Sequence, residues 1–491
     1  MTRALLAAFV SASMLLTPAQ ALGVRYETDE IAGVTLGDSG LETLAPDIDA
    51  VSGAIVDADG RILWSRCATD SRAMASITKI MVALIVLEEA DLDETVTVSE
   101  AASQVSYATG LLPGERLTVR ELLELALVTS SNDAAIALAE HVGGSMAAFV
   151  GRMNERAREL GLDGTRFTNP HGLDDIGHHS CATDIASLAQ TAMRLPEFRR
   201  IVTLQDVTLA AHGERPAEKI ESTDELLGTY RGLLGVKTGF TDDAKYSFVA
   251  AAERDSIALT AVLLGARSNP ARFENTERLL DWGFEHLTLQ TIATTTETVG
   301  AVPIAENTVM EVPVGFTEAS ATAVFDLDGE ITRTVSLDSS VGLPIYKGQP
   351  LGEIEVRQAD RLLATLPVVA TEAVASAEET VGAVPVSDYL DRAVLARATG
   401  ESLPVPAFDP DVTVHRTINL DPQVSAPVDA GDPLGEITYI QNGEVILHVP
   451  AIAAESIEAP GTLAKVGIWV TRAWHWIIGE PTMAPLEIAG S

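Results

Sequence analysis

Apolar and polar residues alternate through "DAVSGAIVDADGRILWS" (49–65) around an Asp-Gly pair, which predicts a β-hairpin. From Ala75 to Ala90 the period lengthens to that of a helix. "TVRELLELALVTSSNDAAIALAEHVGG" (118–144) predicts two helical runs interrupted at "TSSND". "MAAFVGRMNERARELG" (146–161) predicts a helix closed by Gly161, and "ARFENTERLLDWGFEHL" (271–287) another. "AKYSFVAAAERDSIALTAVLLG" (244–265) predicts two strands around the turn "ERDS". Strands at both ends with helices between predict an α+β domain over 22–290, its first and last strands sharing one antiparallel sheet.

After residue 290 the long helical periods vanish and Val, Thr, Pro and Gly dominate. "ETVGAVP" occurs at 297–303 and again at 379–385; "GQPLGEI" (348–354) returns as "GDPLGEI" (431–437). Arg333-Thr334-Val335 returns as Arg416-Thr417-Ile418. A near-constant offset predicts two tandem small all-β domains, 291–376 and 377–459; a solenoid needs at least three repeats. "GTLAKVGIWVTRAWHWIIGE" (461–480) holds three of the five tryptophans. At helical spacing Leu463, Val466, Val470, Ala473, Trp474 and Ile477 share one side, and Lys465, Arg472 and His475 another. Such a helix suits the surface of a membrane, with Trp at the headgroups, and is too short for a convincing span; docking on the protein itself, or a dimer contact, is the alternative. Residues 481–491 are expected to be a tail.

At the other end, Arg3, an apolar core "ALLAAFVSASMLL" and small residues at Ala19 and Ala21 have the order of a secretory signal, 1–21. The mature chain is therefore expected to be exported. A net charge of −37 argues against a nucleic-acid binder, which would show a basic face. The two cysteines, Cys67 and Cys181, make no disulfide framework; a single bridge and two separate thiols are both open. No HExxH or paired-cysteine spacing suggests a metal, and "GHHS" (177–180) is expected to be structural.

Only six of the 33 Lys and Arg residues are lysines, yet Lys79 lies within the apolar run "MASITKIMVAL" (74–84). Ser76, three residues earlier, falls on the same helical face and near the helix start, where the dipole favours a developing alkoxide. An apolar wall of Ile77, Ile80, Met81 and Leu84, with a second cation nearby, would free the Lys79 lone pair for use as a base. Ser130 and Asn132 stand at the break between two helices; simple capping is the alternative. "GVKTGFT" (235–241) is expected to precede a strand. There Lys237 would be the second cation, Thr238 a donor to a carboxylate, and Gly239 an opening for a substrate backbone.

In the order S-x-x-K, S-x-N, K-T-G these three motifs match the set of penicillin-binding proteins and serine β-lactamases. With "SSNDAAIALAE", "FTNPHGLDD", "HHSCATDIASLA" and "RFENTERLLDWGF", the stretch 45–290 resembles the low-molecular-mass penicillin-binding proteins of the D-alanyl-D-alanine carboxypeptidase family, peptidase family S11. Residues 420–452 resemble the β domain of that family, and the terminal helix its membrane anchor. The resemblance implies a serine β-lactamase/transpeptidase-like fold that needs no cofactor. Ser76 would be the nucleophile, Lys79 its base and Ser130 a proton relay to the departing D-alanine. Asn132 would orient Lys79 and the substrate amide. Lys237, Thr238 and Arg272 would hold the terminal carboxylate, and the backbone N–H groups of Ser76 and Phe240 would form the oxyanion hole. Peptidoglycan stem peptides would be substrates, β-lactams inhibitors, and the periplasmic face of the inner membrane the place of work.

Three departures stand out. Lys245 occupies a position where the family commonly has glycine. Cys181 replaces Ser or Thr, and the β domain is doubled, which would lift the active site further from the membrane. Rival expectations are an endopeptidase, a serine β-lactamase (although no E-x-x-L-N lies between the second and third motifs) and an idle wall-binding scaffold.

Overall fold

A computed structural model describes residues 28–36, 44–305, 307–374, 380–390, 392–399 and 413–478. The expected signal (1–21) and tail (481–491) lie outside them. The chain forms two compact units: one runs to Leu289 and adds Ala323–Asp328, the other holds Gln290–Thr322 and everything from Gly329 onward.

In the first unit a seven-stranded antiparallel sheet joins both ends of the domain. Its strands are β1 (Asp29–Ile31), β2 (Val34–Thr35), β3 (Ser52–Asp57), β4 (Ile62–Arg66), β5 (Leu233–Thr241), β6 (Lys245–Arg254) and β7 (Ile257–Ala266), in the order β2-β1-β4-β3-β7-β6-β5. Every residue of β3 is buried because the sheet is covered on both faces. Ala54 and Val56 pack into the core built by the helices, while Ile55 packs on the opposite side with Phe273, Leu279 and Trp282.

The helical layer is centred on α1 (Lys79–Glu89), whose first eight residues are all buried. A helix apolar all round belongs inside, with other elements on every side. Around it lie α2 (Val119–Val128), α3 (Asn132–Gly143), α4 (Met146–Glu159), α5 (Ala182–Met193) and α6 (Pro196–Val202). A reciprocal capping box between Thr118 and Glu121 starts α2, and the Ser131 hydroxyl, accepting from the Ala134 N–H, starts α3. On the other face lies α7 (Asn269–His286).

A single cut at residue 290 does not divide the chain, because Ala323–Asp328 belongs to the first unit. Phe325 is fully buried there, edge-on to Trp282 at 5.8 Å and beneath the Arg61 guanidinium at 5.4 Å. Asp326 pairs with His286 (2.9 Å) and Asp328 with Arg61. A lone aromatic in a β-rich stretch carries no signal in the sequence that it will pack elsewhere.

The second unit contains two five-stranded sheets. The first is built from β8 (Thr298–Ile304), β9 (Asn307–Gly315), β10 (Ile331–Leu337), β11 (Pro350–Gln358) and β12 (Arg361–Ala370), ordered β8-β9-β12-β11-β10. The second is built from β13 (Thr380–Pro385), β14 (Ala393–Ala398), β15 (His415–Leu420), β16 (Pro433–Gln441) and β17 (Glu444–Ala453), ordered β13-β14-β17-β16-β15. The order is the same, and β11 and β16 bury the same positions in turn. Tyr346 of the first copy meets Tyr439 of the second edge-on at 5.7 Å. Helix α8 (Thr462–Ile478) follows. Arg472 donates to the carbonyls of Ser387 and Tyr389, while Leu463, Val466, Trp469 and Val470 stay exposed.

Candidate active site

Ser76 lies in a 3-10 turn, Ala75–Thr78, that runs straight into α1. The Thr78 hydroxyl donates to the Ala75 carbonyl (2.8 Å) and lies 2.7 Å from His178 Nε2. His178 Nδ1 accepts from the Thr168 N–H (3.1 Å), so the hydrogen-bond network assigns the ring proton to Nε2, which donates to Thr78. Burial lowers His178 to about 4, so the ring stays neutral as a prop for the turn. From the opposite side comes the loop "FTNPHGLDD". Its Gly172, at φ +91°, sits so close that a Cβ would run into the Ala75 carbonyl. Asn169 fixes this loop, its Oδ1 accepting from the Gly172 N–H (2.7 Å) and its Nδ2 donating to the Leu173 carbonyl (3.1 Å).

Lys79 is fully buried. Its Nζ has three oxygen neighbours: Ser76 Oγ at 3.0 Å, Asn132 Oδ1 at 2.6 Å and the His171 carbonyl at 2.7 Å. A neutral amine has two hydrogens and one lone pair. The two carbonyl oxygens can only accept, so they take the hydrogens, and the lone pair is left for the Ser76 hydroxyl. Burial first, and the Lys237 charge second, hold Lys79 well below the usual lysine range; Asp133 opposes them. The Asn132 amide is oriented by donating through Nδ2 to the Ser106 carbonyl (2.7 Å).

Ser130 has φ +66°, an uncommon backbone for a non-glycine residue. It does not cap α3; Ser131 does. Ser130 therefore lines the cavity between the walls.

The other wall is β5, at the edge of the sheet. "GVKTGFT" does not precede a strand, as expected, but forms most of β5 itself, paired with β6. Its glycine works differently too. A Cβ on Gly239 would crowd the Ala75 side chain and the Met74 carbonyl, both at 3.1 Å, so the missing side chain lets the strand close on the nucleophile turn. Lys237 is buried and donates to the Thr238 carbonyl (3.1 Å). Burial, then Arg272, lowers it to about 7, and Asp224 opposes the shift. Thr238 and Thr223 share a hydroxyl hydrogen bond of 2.7 Å. Arg272 reaches across from α7 to the Gly239 carbonyl (3.3 Å), and its Nε is buried without a partner among the described residues. Desolvation lowers Arg272 to about 10, so it stays a cation at neutral pH.

The cavity holds about 230 Å³. Ser76, Ser130, Asn132, Thr238, Gly239, Phe240 and Arg272 line it, with Lys79 and Lys237 buried beneath. All nine expected site residues therefore meet in one place. Sequence patterns missed Tyr107, Thr129, Leu173, Thr223 and Thr241 on its walls, and the His171 carbonyl behind Lys79. A backbone carbonyl has no residue-type signature, although the "FTNPHGLDD" loop that carries it was visible. Lys245 adopts φ +55°, where glycine is unstrained; it lies opposite Thr241 and does not line the cavity. Cys67 and Cys181 are free thiols.

Comparison with known proteins agrees with this architecture. The family model described as D-alanyl-D-alanine carboxypeptidase matches residues 40–268. The model described as the C-terminal domain of penicillin-binding protein 5 matches 401–459, within the second β copy. D-alanyl-D-alanine carboxypeptidase DacF of Bacillus subtilis is 30% identical over 335 residues, covering 66% of this chain and 85% of its own. DacC of Escherichia coli is 30% identical over 351 residues, covering 67% and 85%. Penicillin binding protein 6B from Escherichia coli superposes with a TM-score of 0.52 at 27% identity, over 66% of this chain and 96% of that one. Penicillin binding protein 5 from Haemophilus influenzae gives 0.51 at 26% identity, over 68% and 99%. On these matches and on its serine-containing cleft, the chain belongs to the D-alanyl-D-alanine carboxypeptidases, a family of serine peptidases that form an acyl-enzyme and bind penicillin.

Proposed function

We propose that Ser76 removes the terminal D-alanine from peptidoglycan stem pentapeptides. Its hydroxyl passes a proton to neutral Lys79 as Oγ attacks the carbonyl of the penultimate D-alanine. The backbone N–H groups of Ser76 and Phe240 receive the developing oxyanion. Collapse breaks the peptide bond as Ser130 relays a proton, giving its own to the departing amine and taking up the one held by Lys79, and water then hydrolyses the ester. Lys237, Thr238 and Arg272 hold the terminal carboxylate. Charge-assisted hydrogen bonds of this kind are about twice as strong as neutral ones, so the free Nε of buried Arg272 suits an anion. β-Lactams would acylate the same serine.

The observation that carries this assignment is the donor count at Lys79, which leaves its lone pair for the Ser76 hydroxyl. Export by the N-terminal signal and peripheral contact with the periplasmic face of the membrane through α8 complete the proposal. The exposed Leu463, Val466, Trp469 and Val470 support that contact, since Trp and aliphatic side chains suit the headgroup boundary. The test is peptide mass spectrometry after labelling with benzylpenicillin. The adduct is expected on Ser76 and absent from Ser76→Ala. An adduct on another residue, or an unlabelled wild type, overturns the assignment.

A further inference from the structure

Asp133 follows Asn132 in the chain, and the mechanism above gives it no part. It is fully buried, at the first turn of α3. Its carboxylate meets the segment 109–111. Oδ2 accepts from the N–H groups of Gly110 (3.0 Å) and Leu111 (2.9 Å). Oδ1 accepts from the Thr109 N–H (3.2 Å), the Thr109 hydroxyl (3.1 Å) and the Ala134 N–H (3.0 Å), and the Ser131 hydroxyl also donates to it. Three successive backbone N–H groups converging on one carboxylate define the path of that segment.

The same segment reaches back to the site. The Ser106 carbonyl accepts from Asn132 Nδ2, and the Tyr107 carbonyl from the Asn132 N–H (3.4 Å). Tyr107 lines the cavity at φ +57°, a conformation that needs support from its surroundings. The Ser106 carbonyl can only accept, so it holds the nitrogen of the Asn132 amide on its own side and leaves the oxygen for Lys79. A flipped amide would present N–H groups to Lys79 and compete for its lone pair.

We propose that Asp133 is the positioning residue that holds the segment 106–111, and through the Ser106 carbonyl sets the Asn132 amide that leaves the Lys79 lone pair on Ser76. This rests on Lys79 being the base. Asp133 also favours the charged form of Lys79; the other ionisable groups facing that amine are Lys237 from β5 and His171 from the Gly172 loop. The carboxylate therefore acts in two separable ways, by aligning the site and by charge.

The experiment measures the rate of acylation by benzylpenicillin against pH, with thermal melting as a check on folding. Asp133→Asn keeps one acceptor oxygen and loses the charge. It is expected to acylate about tenfold or more slowly, with its acid limb moved to lower pH by about half a pH unit, because the ammonium loses a stabilising carboxylate. Thr109→Val removes one hydroxyl from the cluster and leaves the charge. It is expected to slow acylation severalfold with the acid limb unmoved. A folded Asp133→Asn with wild-type rate and limb overturns the proposal; if that variant does not fold, wild-type kinetics in Thr109→Val overturns it. Failure of the base assignment itself would show differently, as a wild type whose acylation has no acid limb.

Discussion

The two walls of the cleft bury their lysines in opposite states. On the helical wall Lys79 has an oxygen partner for each valence of a neutral amine. On the strand wall, among the described residues, Lys237 donates to a single carbonyl, Arg272 keeps a buried Nε without a partner, and Asp224 keeps a buried Oδ2 without one. Burial alone raises Asp224 to about 6, against the pull of the neighbouring N–H of Leu226 and the charges of Arg272 and Lys237. A saturated amine can exchange a proton with little rearrangement. An under-saturated cation pair gains by taking up an anion, since the desolvation cost of its charges is already met in the folded state. One wall is built for proton transfer and the other for a carboxylate.

The sharpest way to break that contrast is Lys79→Ala. Loss of the base is expected to slow acylation by about a thousandfold or more, for penicillin and peptide alike, in single-turnover kinetics. A loss confined to KM would put Lys79 on the binding side instead. Next is Arg272→Gln on the strand wall. It is expected to raise KM for a peptide ending in a free carboxylate by about ten- to a hundredfold, and to leave a C-terminal amide little changed. Equal loss for both substrates would show that Arg272 supports the fold of the wall and not the anion.

The smallest effect is in pH. Lys237 has its pKa lowered in the free protein to about 7. Its cation is therefore present below pH 7 and lost as pH rises through that value, while Arg272, at about 10, keeps its charge. KM for the carboxylate peptide is expected to climb severalfold between pH 6 and pH 9, and to be flat for the amide. A KM that falls over this range would contradict the assignment.

The same contrast explains what could be seen in the sequence. The helical wall was legible because its chemistry sits at fixed spacing on one chain segment: three residues from Ser76 to Lys79, and a break before Asn132. The sheet was legible from the hairpins at 49–65 and 244–265, and the tandem β copies from their repeated heptapeptide. What escaped lies between segments. The His171 and Ser106 carbonyls, and the N–H groups of Thr109, Gly110 and Leu111 that Asp133 binds, are backbone partners, and any residue type supplies those. The fit of Gly239 against Ala75 depends on how closely an edge strand approaches a turn, which spacing does not encode. The place of "GVKTGFT" within β5 was missed because its Lys, Thr and Gly mask the strand's alternation. Phe325 was missed because its partners, Trp282 and Arg61, lie far away in the chain.

The state of Lys79 can be measured directly by NMR, with selectively labelled lysine followed by its Cε and Nζ resonances through a pH titration and assigned by Lys79→Ala. The account predicts a neutral amine at pH 8, titrating well below the usual lysine range, and still lower when Asp133 is replaced by Asn. A Lys79 resonance that remains that of an ammonium up to pH 10 in the folded enzyme would contradict it.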